Sequence, residues 1–306
     1  MDRNSVYYKQ VQLLISLIPL IAEETCFALK GGTAINLFVR DMPRLSVDID
    51  LVYLPMDARE VAIKNICQAL GRISAAIRST FVDAEVTEAY RDKPDALRLV
   101  VSRAGVQVKI ELSPVLRGTV FKPEVRAVSN HVEDEFGFAE MPVVALADLY
   151  AGKICAALDR QHPRDLFDVR WLLDREGITE EIRKALLVYL ISHPRPMVEL
   201  LNPVFKDLEA VYVGEFAHMT ETDVALDVLM MTREQLVGEV LEGFSDEDCE
   251  FLLSIKARKP RWELLGLPHV EQLPAVRWKL INLDKMSNIK YQAAYEKLEE
   301  LLRGAD

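Results

Sequence analysis

The run Leu45-Ser46-Val47-Asp48-Ile49-Asp50-Leu51-Val52-Tyr53 alternates strictly, with Val47, Ile49 and Leu51 on one side and Ser46, Asp48 and Asp50 on the other. A period of two is the signature of an extended strand with one buried face. A second run, 106–112, repeats it: Val106, Val108, Ile110 and Leu112 alternate with Gln107, Lys109 and Glu111. Ala104-Gly105 provides a hairpin turn from a preceding strand at 97–102, and a further strand-like run covers 81–88. One-sided strands need a sheet with helices over the apolar face.

Those helices are legible too. Residues 1–25 and 57–78 carry helical spacing, and Pro19 kinks or ends the first. Between them a short apolar run at 26–29 leads through Gly31-Gly32 to Thr33, which is placed to cap a helix reaching residue 39. From residue 143 onward the pattern is helical, with segments near 143–158, 165–175, 179–192, 197–213, 220–231, 233–242, 245–255 and 287–303. The expected fold is therefore α+β: an N-terminal mixed sheet with flanking helices at 1–140, then a mainly helical lobe at 141–306.

Composition narrows the function classes. The 306 residues include 48 acidic and 37 basic side chains, a formal charge of −11. Such a balance excludes a polybasic nucleic-acid coat, whose affinity comes from neutralising phosphates with Lys and Arg. It leaves room for a local cationic contact, and Lys256, Arg258, Lys259 and Arg261 form the densest basic cluster. Trp262 and Trp278 flank basic residues but are read as core packing. The four cysteines lie far apart, and no His or Cys spacing suits zinc. The most apolar stretch, 11–22, is too short for a bilayer, and no cleavable leader is visible. A cytoplasmic protein without membrane attachment is expected.

The chemistry is concentrated at Asp48 and Asp50. Residues i and i+2 of a strand project to one face, about 6.6–7 Å apart. Paired carboxylates destabilise a sheet unless something neutralises them, and a hard divalent cation such as Mg²⁺ is suited to that. Glu111 stands on the polar face of another strand; if the two strands are near neighbours, three carboxylates can hold a pair of ions. An Asp-x-Asp strand alone is also compatible with a solvated face. Upstream, Lys30-Gly31-Gly32-Thr33 offers a turn whose backbone can approach an anion at a helix start. Together these suggest equipment for gripping a nucleoside triphosphate.

The chain here resembles the AbiEii/AbiGii-type toxin nucleotidyltransferases of the DNA polymerase β-like nucleotidyltransferase superfamily. The resemblance rests on Lys30-Gly31-Gly32-Thr33-Ala34-Ile35-Asn36, Arg44-Leu45-Ser46-Val47-Asp48-Ile49-Asp50-Leu51, Val108-Lys109-Ile110-Glu111-Leu112, Leu146-Ala147-Asp148-Leu149-Tyr150-Ala151-Gly152-Lys153, and Arg164-Asp165-Leu166-Phe167-Asp168. These occur in the family's order over roughly 26–171. Thr33 replaces a common Ser, the gap to Asp48 is longer than in the wider superfamily, and nothing beyond about 180 matches a motif.

The resemblance implies Asp48, Asp50 and Glu111 as Mg²⁺ ligands and catalytic carboxylates, with a two-ion site. It implies Gly31, Gly32, Thr33 and Ser46 as triphosphate-binding positions, and phosphorylation of Ser46 as a block to metal binding. Lys153 would meet the triphosphate, and Asp165 would orient Lys153 or the base. Read without the family, Lys153 is a solvated helix lysine, Asp165 a helix cap, and Asp168 a partner of the helix dipole. His162 would line the cleft.

The implied function is Mg²⁺-dependent transfer of nucleotides from NTP to an RNA acceptor, the tRNA 3′ end, which stops translation. The implied partner is a cognate antitoxin. Two other readings stay open: transfer to a protein or small-molecule hydroxyl, and a catalytically silent module that senses NTP.

Overall fold

The structure, a computed structural model, describes Arg3 and residues 5–304. Met1, Asp2 and Asn4, where the predicted 1–25 helix begins, and Ala305 and Asp306, at the end of the predicted helical lobe, lie outside the described residues. The chain divides into two units, Met1–Ala145 with Ala217–Asp223, and Leu146–Phe216 with Val224–Asp306. The sequence pattern places the division at 140/141 and carries no hint that 217–223 returns to the first unit.

The first unit is built on α1 (Val6–Ala22), β1 (Phe27–Lys30), α2 (Gly31–Thr33), a π-helical turn (Ala34–Val39), β2 (Asp48–Tyr53), α3 (Arg59–Thr80) and β3 (Glu85–Glu88). It continues through β4 (Arg98–Arg103), β5 (Val106–Leu112), β6 (Glu124–Ala127), α4 (Asn130–Phe136) and β7 (Glu140–Val143). The strands form a seven-stranded mixed sheet in the order β3-β4-β5-β2-β1-β7-β6. β2 is antiparallel to β1 and parallel to β5.

Helices α1 and α3 touch each other and the sheet, α1 at β5 and β7, and α3 at β3 and β4. Leu14, Leu17, Ile18 and Ile21 of α1 are fully buried, as are Ile49 and Leu51 of β2 and Val108 and Ile110 of β5. Burying each such side chain contributes about 1.5–3 kcal/mol before chain entropy is counted, so these contacts fix which strand face looks inward. Pro19 does not end α1. It lies on the exposed side of the helix, and the helix continues to Ala22. Ala104 and Gly105 both have positive φ, 49° and 77°, as a tight hairpin between twisted strands requires.

Several boundaries depart from the sequence pattern. β2 starts at Asp48, not 45, because 43–45 is engaged elsewhere: Leu45 N–H donates to the Met219 carbonyl at 2.7 Å and Glu221 N–H to the Pro43 carbonyl at 3.1 Å. β6 and β7 carry no clear alternation, and Pro142 within β7 hides it further.

The second unit is helical: α5 (Leu146–Arg160), α6 (Pro163–Leu173), α7 (Glu180–Ser192), α8 (Met197–Leu201), α9 (Glu209–Glu215), α10 (Leu226–Glu242), α11 (Asp246–Lys256), α12 (Trp262–Leu265), α13 (Pro274–Asp284) and α14 (Asn288–Arg303). α5 packs on α6 and α7, and α10 covers α6. The predicted 197–213 helix is two helices, since Pro203 interrupts it, whereas 220–231 and 233–242 resolve into the single α10. α13, which has no counterpart among the helical segments read from the sequence, begins on Pro274 at its first turn. Trp262 packs on Phe251 with ring centroids 5.8 Å apart, but Trp278 is 52% exposed and is not a core residue. No helix among the described residues is long and apolar enough to cross a membrane.

Candidate active site

In the first unit the strand register assembles a charged row across four strands. Lys30 pairs with Asp50, Asp50 with Glu111, and Glu111 with Arg98. Residues directly opposite in a sheet share a face, so the four side chains form a line of sign plus, minus, minus, plus. One pleat away, Asp48 lies opposite Lys109. The sequence pattern predicts the Asp48/Asp50 pair and a Glu111 strand nearby. It does not reveal that Glu111 falls beside Asp50, or that Lys30 and Lys109 are the neighbours of the two aspartates. Glu111 forms a half-exposed ion pair with Arg98 at 3.1 Å.

The turn ahead of this row is packed tightly. Gly31 has φ of 75°, and a Cβ there would lie 2.5 Å from Asp50 Oδ2. A Cβ on Gly32 would lie 2.7 Å from the Arg44 guanidinium and 3.0 Å from Ser46 Oγ. The glycines are thus needed because Asp50 on one side and Arg44 and Ser46 on the other occupy the space a side chain would take. Asn36 donates to the Gly32 carbonyl at 2.9 Å and holds the turn from the helix side. Arg44, 2% exposed, donates to the Leu45 carbonyl at 2.9 Å. Arg44 and Asn36 were visible as parts of the motifs, but only the packing reveals that they shape the turn.

Thr33 is not a helix cap. Its backbone is already helical, with φ of −65° and ψ of −45°, and the helical segment starts at Gly31. The Thr33 side chain is 1% exposed; its hydroxyl donates to the Asp48 carbonyl at 2.5 Å and sits 3.0 Å from Ser46 Oγ. It braces the start of β2 against the turn, which leaves the backbone N–H as its group for an anion. Ser46 is 7% exposed and precedes β2, so its hydroxyl is shielded instead of standing on an open face with the aspartates.

In the second unit, α5 and α6 bring Lys153 and Asp165 together. Lys153 is not a solvated helix lysine: it is 6% exposed, and its ammonium lies 2.9 Å from Asp165 Oδ1 and 2.9 Å from Asp168 Oδ2. Arg160 reaches Asp165 with two hydrogen bonds, at 2.5 and 2.9 Å. Burial pushes the Asp165 carboxyl up, and Lys153 and Arg160 outweigh it, holding the group well below the usual carboxylate range. Lys153, Asp165 and Asp168 are thus a buried cation between two carboxylates, with the exposed Arg160 guanidinium reaching Asp165 from the solvent side. His162, not Asp165, caps α6, its Nδ1 accepting from Arg164 N–H at 3.1 Å, with Pro163 as the first helical residue.

The basic run at 256–261 does not form a cationic strip. Lys256 is buried, Arg258 lies over the Tyr291 ring and donates to the Met286 carbonyl, and Arg261 is paired with Glu250 and Glu263.

The carboxylate oxygens of Asp48 and Asp50 have the chemistry of ligands to a hard cation, and Asp50 lies against the turn whose backbone would meet phosphates. Among the described residues no three His, Cys, Asp or Glu side chains are gathered into a metal-binding group, and Glu111 is paired with Arg98. Asp48 and Asp50 are the residues that could hold such a cation, and Glu111 lies opposite Asp50 in the strand register.

Comparisons with known proteins bear on the family and the fold. The sequence model of the family described as "Nucleotidyl transferase AbiEii toxin, Type IV TA system" matches residues 12–276. MenT4, a nucleotidyltransferase toxin from Mycobacterium tuberculosis H37Rv, is similar in structure at a TM-score of 0.59 and 17% identity, over 91% of this chain and 93% of that one. Terminal uridylyl transferase 4 from Trypanosoma brucei with bound GTP aligns over 97% of this chain and 90% of its own, at 12% identity and a TM-score of 0.31, too low to carry an argument. No curated protein matches the sequence.

Proposed function

The chain belongs to the AbiEii nucleotidyltransferase toxin family of type IV toxin–antitoxin systems, and from that premise we propose that it transfers nucleotides from NTP to an RNA acceptor, the 3′ end of tRNA, with Mg²⁺ held by Asp48, Asp50 and Glu111. The observation that carries this proposal is the register of Asp50 opposite Glu111. Two carboxylates directly opposed on neighbouring strands repel each other and suit a site that a divalent cation completes.

Bound there, Mg²⁺ supplies charge neutralisation and in-line alignment for phosphoryl chemistry. The chain's own groups do the rest. Backbone N–H groups at Gly32 and Thr33 face the phosphates at the helix start. The acceptor 3′ oxygen forms a bond to the α-phosphorus while the bond to the bridging oxygen breaks, and pyrophosphate leaves with that electron pair. Glu111, freed from Arg98, takes the hydroxyl proton. Lys30, Lys109 and Arg98, on the same sheet face, supply the local positive charge an RNA end needs in an acidic chain. Lys153 and Asp165 enter as the buried charged pair of the helical unit, and the family's assignment of Lys153 to the triphosphate belongs to this proposal. The family implies an antitoxin as partner, and the setting proposed is the cytoplasm.

The test offers each α-labelled NTP with Mg²⁺ and total tRNA to the wild-type protein and to Asp48→Ala. Label entering tRNA with the wild type and not with Asp48→Ala supports the proposal. Label entering only a protein or a small molecule moves the acceptor assignment, and saturable NTP binding without transfer to any acceptor contradicts it.

A further inference from the structure

The helical unit contains a cavity of about 320 Å³ that the proposed reaction does not use. It lies between the start of α8, the end of α11 and one face of α14, lined in part by Lys256, Lys290 and Lys297. Lys290, Ala293, Ala294 and Lys297 recur at helical spacing, so they form one stripe of α14. The two alanines leave room, while the lysines stand a turn away on either side.

Lys256 is the unusual member. It is the last residue of α11, 7% exposed, yet it lines the cavity. No carboxylate among the described residues forms an ion pair with Lys256, Lys290 or Lys297. Burial pushes the Lys256 ammonium below the usual lysine range, with no acceptor to offset it. A buried ammonium without a counter-charge costs several kcal/mol, a cost that a bound anion would offset. The single carboxylate in the lining, Glu199, is engaged by Arg195 at 3.1 Å.

Further positive charge lies close by. Lys279 donates to the His193 carbonyl at 2.6 Å and the Arg195 carbonyl at 3.3 Å, directly ahead of the Pro196 rim. Burial and the charge of Lys256 push its ammonium down to about 8, so it remains mostly protonated at neutral pH. The other walls are apolar, including Met197, Val198 and Leu298.

We propose that this cavity is a binding pocket for a small phosphomonoester, with the phosphate held by Lys256, Lys290 and Lys297 and an apolar body resting on Met197, Val198 and Leu298. Three ammonium groups suit a dianion better than a single carboxylate, and lysine serves phosphate as a point charge. The volume is that of a small-ligand site.

The test is calorimetric titration of the full chain in phosphate-free buffer with phenyl phosphate and with inorganic phosphate. Phenyl phosphate should bind saturably, about tenfold more tightly than inorganic phosphate, a difference of about 1.4 kcal/mol. Lys256→Met removes the unpaired charge and should keep a melting midpoint no lower than wild type while weakening phenyl phosphate at least about tenfold. Ala294→Leu, which fills the cavity without touching charge, should weaken it similarly. Asp48→Ala should leave it intact. Absence of saturable binding, binding undiminished by both pocket variants, or binding lost in Asp48→Ala overturns the proposal. Equal affinity for the two anions overturns the monoester assignment.

Discussion

Asp50 and Glu111 stand directly opposite each other on adjacent parallel strands, and the cations of the same register row, Lys30 and Arg98, lie outside them. Like charges face each other at the centre, with opposite charges at either end. A sheet face built only for stability would alternate the signs, because opposed like charges cost a few tenths of a kcal/mol to about 1 kcal/mol.

The packing of the turn gives a sharp comparison between two glycines. Gly31 and Gly105 have nearly the same positive φ, 75° and 77°, but a Cβ at Gly105 would meet nothing within 4 Å, whereas one at Gly31 meets Asp50. Gly31→Ala and Gly105→Ala should each lose about 1–2 kcal/mol of stability from the backbone alone. Only Gly31→Ala should also lose nucleotide transfer, by at least about tenfold. Equal transfer rates in the two variants, measured at a temperature where both are folded, would remove the turn from the site.

Lys153 leads to a stability prediction. Its ammonium lies between two carboxylates that are 1% and 0% exposed. Lys153→Met should therefore cost about 3–5 kcal/mol, since it strips a cation from buried anions. Urea denaturation followed by circular dichroism measures this, and an unchanged midpoint would show that the cluster does not depend on Lys153.

Glu88 should be one measurable source of acid sensitivity. Burial pushes its carboxyl up, but Tyr90, Arg91, Ser74 and Arg78 donate to it and bring it down to about 2, against an ordinary 4.5. A depressed carboxylate contributes stability above its unfolded value and loses it as pH falls toward the folded value. The contribution, about 2 kcal/mol after screening of the exposed arginines is allowed for, should disappear between pH 4.5 and 2. Glu88→Gln should be less stable at pH 7 and show a flatter melting profile over that range.

The parts of the fold legible in the sequence were those carried by local period. The alternations around Asp48 and through Glu111 fixed which side chains face away from the core, and β2 and β5 follow them. The family motifs brought Gly31, Gly32 and Thr33 into view together with the aspartates. What could not be read were partnerships across the chain. The position of Glu111 beside Asp50 depends on strand register, and Arg98 reaches Glu111 only because β4 and β5 pair. Thr33 looked like a cap because hydroxyl residues favour that position, yet its hydroxyl is spent on the Asp48 carbonyl. Lys153 looked solvated because its two carboxylates come from the next helix. The cluster at 256–261 looked like one cationic surface because spacing along the chain does not show that Lys256 is buried and Arg261 is paired.

The most direct measurement is the melting midpoint of the wild-type chain and of Asp50→Asn as Mg²⁺ is added together with a non-hydrolysable NTP analogue. A site completed by a divalent cation should gain about 2.7 kcal/mol when ligand reaches a hundredfold excess over its Kd, a rise of several degrees for a unit of this size. The wild-type midpoint should rise by that amount with both ligands present, and Asp50→Asn should show little or no rise. An equal rise in the two proteins would contradict a cation held between Asp48, Asp50 and Glu111.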